Sequence, residues 1–258
     1  MYGSGAILGR LNMIFPKRDK SGTGGGLELG YNSINRMYGS LKSTGKYERF
    51  DWGMSLSGVN YDGDKENDHY GNGNILGRLG FTLTNEFYLE IGGRYGEFDF
   101  DDPGPQNGSK GWYNIKRGDG RLKLKYKRDK TEFQFIPFMV KGKNRISDGW
   151  QSKDYTLGLK VNSSLPIVQD VPLRVNLQVM KYGGEGENVI KNVDYGKTSD
   201  KRGELALALT HSVFQSFLLT TTASLNYSNK FGFFPAPAVA LEYHIKNGFE
   251  IFAGTGLK

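Results

Sequence analysis

Apolar residues recur at every second position along this chain, in run after run, and a helical stripe appears nowhere. Leu122, Leu124 and Tyr126 alternate with Arg121, Lys123, Lys125 and Lys127. Leu173, Val175, Leu177 and Val179 alternate with Arg174, Asn176 and Gln178, and Leu205, Leu207 and Leu209 repeat the pattern. Successive side chains of an extended backbone point to opposite faces, so each run reads as a strand with one apolar face and one polar or small face. About thirteen strands are predicted, at 25–33, 35–44, 48–61, 72–84, 86–99, 119–128, 131–143, 151–163, 171–183, 194–212, 216–228, 232–245 and 248–257.

The connections fall into two kinds. Thr84-Asn85-Glu86, Arg128-Asp129-Lys130 and Lys246-Asn247-Gly248 read as tight turns. Asp62 to Asn72, Phe98 to Gly118, Asn144 to Ser152 and Gly183 to Asp200 read as long, polar, glycine-rich loops. Short turns at one end and long connections at the other are the pattern of a transmembrane barrel. Composition agrees: only 37% of residues are hydrophobic, while 37 are glycine and 13% aromatic. A packed soluble core would need more aliphatic residues, whereas a barrel with a wet interior needs apolar side chains on one face alone. The expected fold is an all-β, transmembrane antiparallel barrel with about 12–14 strands in this chain. Aromatic residues near strand ends, such as Phe87 and Tyr88, Trp112 and Tyr113, and Phe233 and Phe234, suit interfacial girdles.

Several function classes are excluded or weakened by what is absent. No apolar run approaches the ~20 residues of a spanning helix, and no secretory signal opens the sequence, so an exported chain would be numbered from beyond it. Without cysteine there is no disulfide frame or thiolate metal site. The net charge of +7 comes from lysines and arginines alternating along strands, which does not point to nucleic acid. Gly22 to Gly26 and Gly71 to Gly77 lack the strand, helix and Lys-Ser/Thr context of a phosphate loop. His69, His211 and His244 form no triad or metal set in sequence, so no enzyme is expected.

The opening residues, Tyr2-Gly3-Ser4-Gly5-Ala6-Ile7-Leu8-Gly9-Arg10-Leu11-Asn12-Met13-Ile14, resemble the end of the plug domain in TonB-dependent outer-membrane receptors. Gly24-Gly25-Gly26-Leu27-Glu28-Leu29-Gly30-Tyr31-Asn32-Ser33 resembles that family's first barrel strand, and Trp52 to Gly58 with Tyr61-Asp62-Gly63 resembles the strands and loop that follow. Phe249-Glu250-Ile251-Phe252-Ala253-Gly254-Thr255-Gly256-Leu257-Lys258 is similar to a mid-barrel strand. The resemblance is strongest over 2–60 and 216–258, with vitamin B12 and siderophore receptors as the nearest picture. It implies a plug remnant at 1–20 and, at 21–258, the N-terminal half of a 22-stranded barrel in the outer membrane of a Gram-negative bacterium. The TonB box, most of the plug and the second half of the barrel have no counterpart, which makes direct TonB engagement doubtful. The implied partners are outer-membrane lipid and lipopolysaccharide, and a second polypeptide or further C-terminal strands completing the barrel.

The function implied is uptake of a siderophore or cobalamin-type ligand, or a structural wall of a split barrel. Two other readings stay open: a complete 12–14-stranded passive porin for oligosaccharides or anionic solutes, and a soluble glycan-binding β-sandwich. Asp99, Asp101 and Asp102 offer hard oxygens in one stretch, so calcium is a candidate ligand there, against the plainer reading of a solvated acidic loop. Lys123, Lys125, Lys127, Lys141, Lys143 and Arg145 are candidates for the lumen or rim, lining an anion pathway or meeting lipopolysaccharide phosphates. The plainer reading pairs them with neighbouring carboxylates.

Overall fold

A computed structural model describes residues 20–32, 35–63, 68–102, 111–168, 171–214, 217–245 and 249–256. These residues form thirteen strands: β1 (Gly22–Tyr31), β2 (Arg36–Tyr47), β3 (Phe50–Tyr61), β4 (Tyr70–Thr82), β5 (Phe87–Asp102), β6 (Gly111–Arg128), β7 (Thr131–Ile146), β8 (Trp150–Val168), β9 (Val171–Asn188), β10 (Val193–Phe214), β11 (Phe217–Ser228), β12 (Gly232–Ile245) and β13 (Phe249–Gly256). They make one antiparallel sheet in strict chain order, each strand bonded to its neighbours in sequence. Such a meander is the topology of an up-and-down barrel wall. Among the described residues β1 and β13 are not bonded to each other.

The register lines up the apolar residues. Tyr47, Phe50, Phe81, Leu89, Leu124, Phe135, Val161, Leu177, Leu205, Leu225 and Pro235 are successive cross-strand partners, one from each strand β2 to β12. Every member is apolar or aromatic, so a continuous hydrophobic belt runs along one face. That face is also the open one: Leu29 is 73% exposed, whereas Asp51 is 2% and Arg78 3%. Among the described residues, all seven buried polar side chains, Asp51, Arg78, Glu90, Asn188, Asp200, Asn226 and Ser228, lie on the opposite face. The inverted polarity is that of a barrel in lipid, where apolar side chains face the hydrocarbon and polar ones the lumen. Crowding on the concave side accounts for the burial of the polar set.

The turns predicted at 84–86 and 128–130 close β4–β5 and β6–β7. The Thr84 hydroxyl accepts hydrogen bonds from the Glu86 and Phe87 amides at 3.2 and 3.1 Å, and Asp129 takes a left-handed φ of 51°, which aspartate tolerates well. The turn predicted at 246–248 and the plug-like segment 2–14 lie outside the described residues.

At the other end, three predicted loops are corrected. Most of the stretches from Phe98 to Gly118, Asn144 to Ser152 and Gly183 to Asp200 continue as ladder, with Asp102 paired to Gly111, Arg145 to Gln151 and Asn188 to Val193. The β7–β8 and β9–β10 connections shrink to 147–149 and 189–192. The physical reason is that both faces of a strand beyond the bilayer meet water. Alternation of polarity then disappears although pairing persists. The long side of the wall is therefore built of projecting hairpins, which marks it as the external side.

Proline also leaves a trace. The β6–β7 register skips the positions facing Ile136 and Pro137, whereas the β7–β8 ladder runs through Pro137, opposite Leu159. The missing proline N–H is accommodated on the β6 side.

Candidate functional site

The lumen-facing surface carries charged side chains in matched pairs. On β3 to β6, near the short turns, Arg78 bonds Asp51 and lies 3.8 Å from Glu90. The Tyr88 hydroxyl sits 3.1 and 3.2 Å from the two Asp51 oxygens and 3.2 Å from Arg78 Nη1. Glu90 in turn takes Lys123 at 3.0 Å and Arg121 at 3.3 Å. The network fits because glycines face it: Gly80 is opposite both Asp51 and Glu90, and Gly92 is opposite Arg78 and Arg121. A Cβ at Gly80 would collide with the Tyr88 hydroxyl and the Asp51 carboxylate.

Higher along the same face, Arg94 bonds Asp119, and Arg117 reaches both Asp154 oxygens at 3.1 and 3.3 Å. That second pair crosses β7 over Gly142, where a Cβ would clash with the Asp154 carboxylate. On β9 and β10, Tyr182 donates to Asp200, which also accepts from Arg202 Nε at 3.3 Å. The lumen wall is a fixed array of both signs, with aromatic surface above it where Phe100 stacks on Tyr113 at 4.7 Å between centroids.

The sequence-predicted basic residues divide between the two faces. Lys123, Lys125 and Lys127 point into the lumen, opposite in sense to Leu122, Leu124 and Tyr126. Lys123 pairs with Glu90 at 3.0 Å, Lys125 with Glu132 at 2.9 Å, and Lys127 stands across from Glu132 in register. Lys141, Lys143 and Arg145 share the outward face with Phe133, Phe135 and Met139, at the external end of β7. Of the calcium candidates, Asp99 and Asp101 lie on one face of β5 and Asp102 on the other. Asp99 accepts a 3.4 Å hydrogen bond from Asn114. Among the described residues no three His, Cys, Asp or Glu side chains converge on a metal-sized site. His69 approaches Asp62 at 3.5 Å.

Sequence reasoning missed Asp51, Arg78, Tyr88 and Glu90. Each occupies the inward position of an extended run, as Asp51 does between Phe50 and Trp52. That signal marks the lumen face but not the partner, because 27 residues separate Asp51 from Arg78 and register alone joins them.

No family model and no curated protein sequence matches the chain. Solved structures do. The chain is similar to the siderophore receptor PirA from Pseudomonas aeruginosa, with a TM-score of 0.73 and 13% identity over 92% of this chain and 43% of that one. It is similar to the copper transporter OprC, at TM-score 0.75 and 12% identity over 94% of this chain and 46% of that one. A third likeness is to the hemophore receptor HasR of Serratia marcescens, at TM-score 0.72 and 12% identity over 94% and 46%. The chain thus spans less than half the length of these structures. Over nearly all of its own length it has the fold of the barrel wall found in outer-membrane receptors and transporters.

Proposed function

We propose that this chain forms part of the wall of an outer-membrane uptake receptor of the TonB-dependent kind, acting on a scarce, bulky nutrient such as a metal chelate of siderophore or cobalamin type. In this reading residues 1–20 are the end of a plug, residues 21–258 are barrel, and further strands, from the same gene or another, complete the ring. The observation that carries it is the lipid-facing belt of β2 to β12, set in a sheet that superposes on receptor barrels along more than nine-tenths of this chain. The projecting β5–β6, β7–β8 and β9–β10 hairpins would capture ligand outside, and the paired charges of the lumen wall would keep that wall rigid and wet. Edge strands support the need for completion, because each unpaired backbone group in hydrocarbon costs several kcal/mol. A complete thirteen-stranded channel would require β1 bonded to β13, and the two are not paired among the described residues.

The test is intact mass and subunit composition of the particle extracted from membranes in detergent, followed by binding of a panel of ferric chelates, cobalamin and copper complexes. Additional barrel strands co-purifying, and saturable binding of one chelate class that is lost when the β7–β8 and β9–β10 hairpins are shortened, are expected. A single 28.8 kDa species that conducts ions alone and binds no chelate would overturn the reading.

A further inference from the structure

The charges of the lumen wall are matched less completely at its internal end. On the inward face of β6 to β9, the rows nearest the short turns carry Lys123, Lys125, Lys127, Lys160 and Arg174 against one carboxylate, Glu132. Both oxygens of Glu132 are occupied: Oε2 lies 2.9 Å from Lys125 Nζ, and Oε1 accepts from Gln134 Nε2 at 2.6 Å. Lys123 is held by Glu90 on β5 at 3.0 Å, and Lys160 shares its row with Gln178 and Glu204. Lys127 and Arg174 are left over. Both are exposed, and among the described residues neither has a carboxylate bonded to it.

Register places these two cations in one row. Lys127 pairs with Glu132, Glu132 with Ser164, and Ser164 with Arg174. Three strand spacings set their backbones ~14 Å apart, within joint reach of two long side chains holding one small group between them. The floor between them is made of donors. Asn162 Oδ1 accepts from Asn176 Nδ2 at 2.7 Å, which leaves the Asn162 NH2 group to donate, and the Ser164 hydroxyl has no side-chain partner among the described residues. Beyond Arg174 the same row continues as Ala208, Thr222 and Ala238, so no carboxylate meets it from β10 to β12. Arg78 on β4 stands in contrast, closed off by Asp51 and Glu90.

We propose that Lys127, Arg174, Asn162 and Ser164 form an oxyanion site at the internal end of the lumen wall, taking a carboxylate or phosphate group. The planar fork of Arg174 can hold two oxygens of one such group, and Lys127 meets a third as a point charge. The Asn162 amide and the Ser164 hydroxyl add neutral hydrogen bonds from the floor. Because Lys125 already neutralises Glu132, the row keeps an excess of positive charge, which raises the local concentration of anions in a wet lumen. The site rests on the barrel-wall fold and not on which nutrient the proposed receptor takes. Two sources carry the same chemistry: an anionic solute in the lumen water, and an acidic side chain of a polypeptide seated in the lumen.

The experiment acylates the lysines of the detergent-extracted particle, with whatever strands co-purify, and reads Lys127 by peptide mass spectrometry with and without millimolar inorganic pyrophosphate. Lys42, an inward lysine on β2, is the internal reference. Lys127 that reacts alone and is protected by pyrophosphate, while Lys42 is not, identifies a site for a soluble anion. In that case Arg174→Gln is expected to raise the pyrophosphate concentration for half protection about tenfold, the loss of one charge-assisted bond. Lys127 that stays unreactive in the particle, and that a zero-length carbodiimide reagent links to a carboxylate, identifies a polypeptide as the source. Arg174→Gln should then make Lys127 more reactive. Neither protection nor a cross-link at Lys127, equal protection of Lys42, or no effect of Arg174→Gln would overturn the proposal. No chelate enters the readout, so failure of the nutrient-receptor reading and failure of this site are separate results.

Discussion

Arg78 and Asp51 form an ion pair between β4 and β3, two positions out of direct register, with 3% and 2% of their surfaces exposed. Removing one partner of such a pair leaves a buried charge uncompensated, which costs about 3–5 kcal/mol, while replacing both by well-fitted neutral groups is far milder. Asp51→Ala is therefore expected to destabilise strongly, since Tyr88 and Glu90 also lose part of their network. Asp51→Asn with Arg78→Gln should recover much of the loss. Unfolding midpoints in detergent, read by the shift in electrophoretic mobility on heating, would show whether the double variant lies above the single one. Additive losses would mean that the pair contributes nothing as a pair.

The two faces of one hairpin make opposite forecasts. Leu225 on β11 faces outward at 45% exposure, whereas Thr222 on the same strand faces the lumen beside Ala208. Leu225→Arg should cost about 2–4 kcal/mol when the barrel is refolded into lipid, the range for arginine near the bilayer midplane. Thr222→Arg should cost well under half of that. Urea titrations in lipid vesicles decide it, and equal costs would remove the face assignment.

Glycine opposite an aromatic ring recurs in the register: Gly45 faces Trp52 and Gly158 faces Phe138. A Cβ at Gly158 would fall within the Phe138 ring, which also lies 5.5 Å from Lys160 Nζ. Gly158→Val should displace the ring and cost about 1–3 kcal/mol. Adding Phe138→Ala should return part of that. A double variant no better than Gly158→Val would show that the ring was not the obstacle.

Glu185 stands beyond the apolar belt, and the hydrogen bond from Lys153, followed by the charges of Lys153 and Lys197, holds its carboxyl below the usual glutamate range. A carboxylate with a lowered folded value adds stability above the ordinary glutamate range and loses it as pH falls through the lowered value. The carboxyl carbon of Glu185, followed by NMR titration in detergent, should show a midpoint below that of a free glutamate. Lys153→Gln should move the midpoint upward, and an unmoved midpoint would show that Lys153 is not its main partner.

Alternation was enough to predict about thirteen strands and to divide each into an apolar and a polar side, because within the bilayer the two sides of a strand meet different solvents. It failed at the external hairpins for the matching reason: Asn144 to Ile146 and Gly184 to Asn188 extend the ladder beyond the predicted strands, where both faces are wet and the polarity signal is lost. Lys123, Lys125 and Lys127 were legible as one face, since they alternate with Leu122, Leu124 and Tyr126, but alternation alone does not say which face looks inward. That Lys141 and Lys143 lie on the other face followed only from continuity with Phe135 and Met139 through Pro137.

By itself, then, the sequence determined the class of fold and the period of each strand, both of which are local properties of an extended chain with alternating side chains. Tertiary structure alone decided register. A shift of one residue exchanges every inward and outward side chain of a strand, and a shift of two changes every partner. Hydrogen bonding across β2 to β12 is therefore what brings Asp51 to Arg78, sets Lys116, Lys143 and Lys153 in one row, and joins eleven separate apolar residues into a single belt.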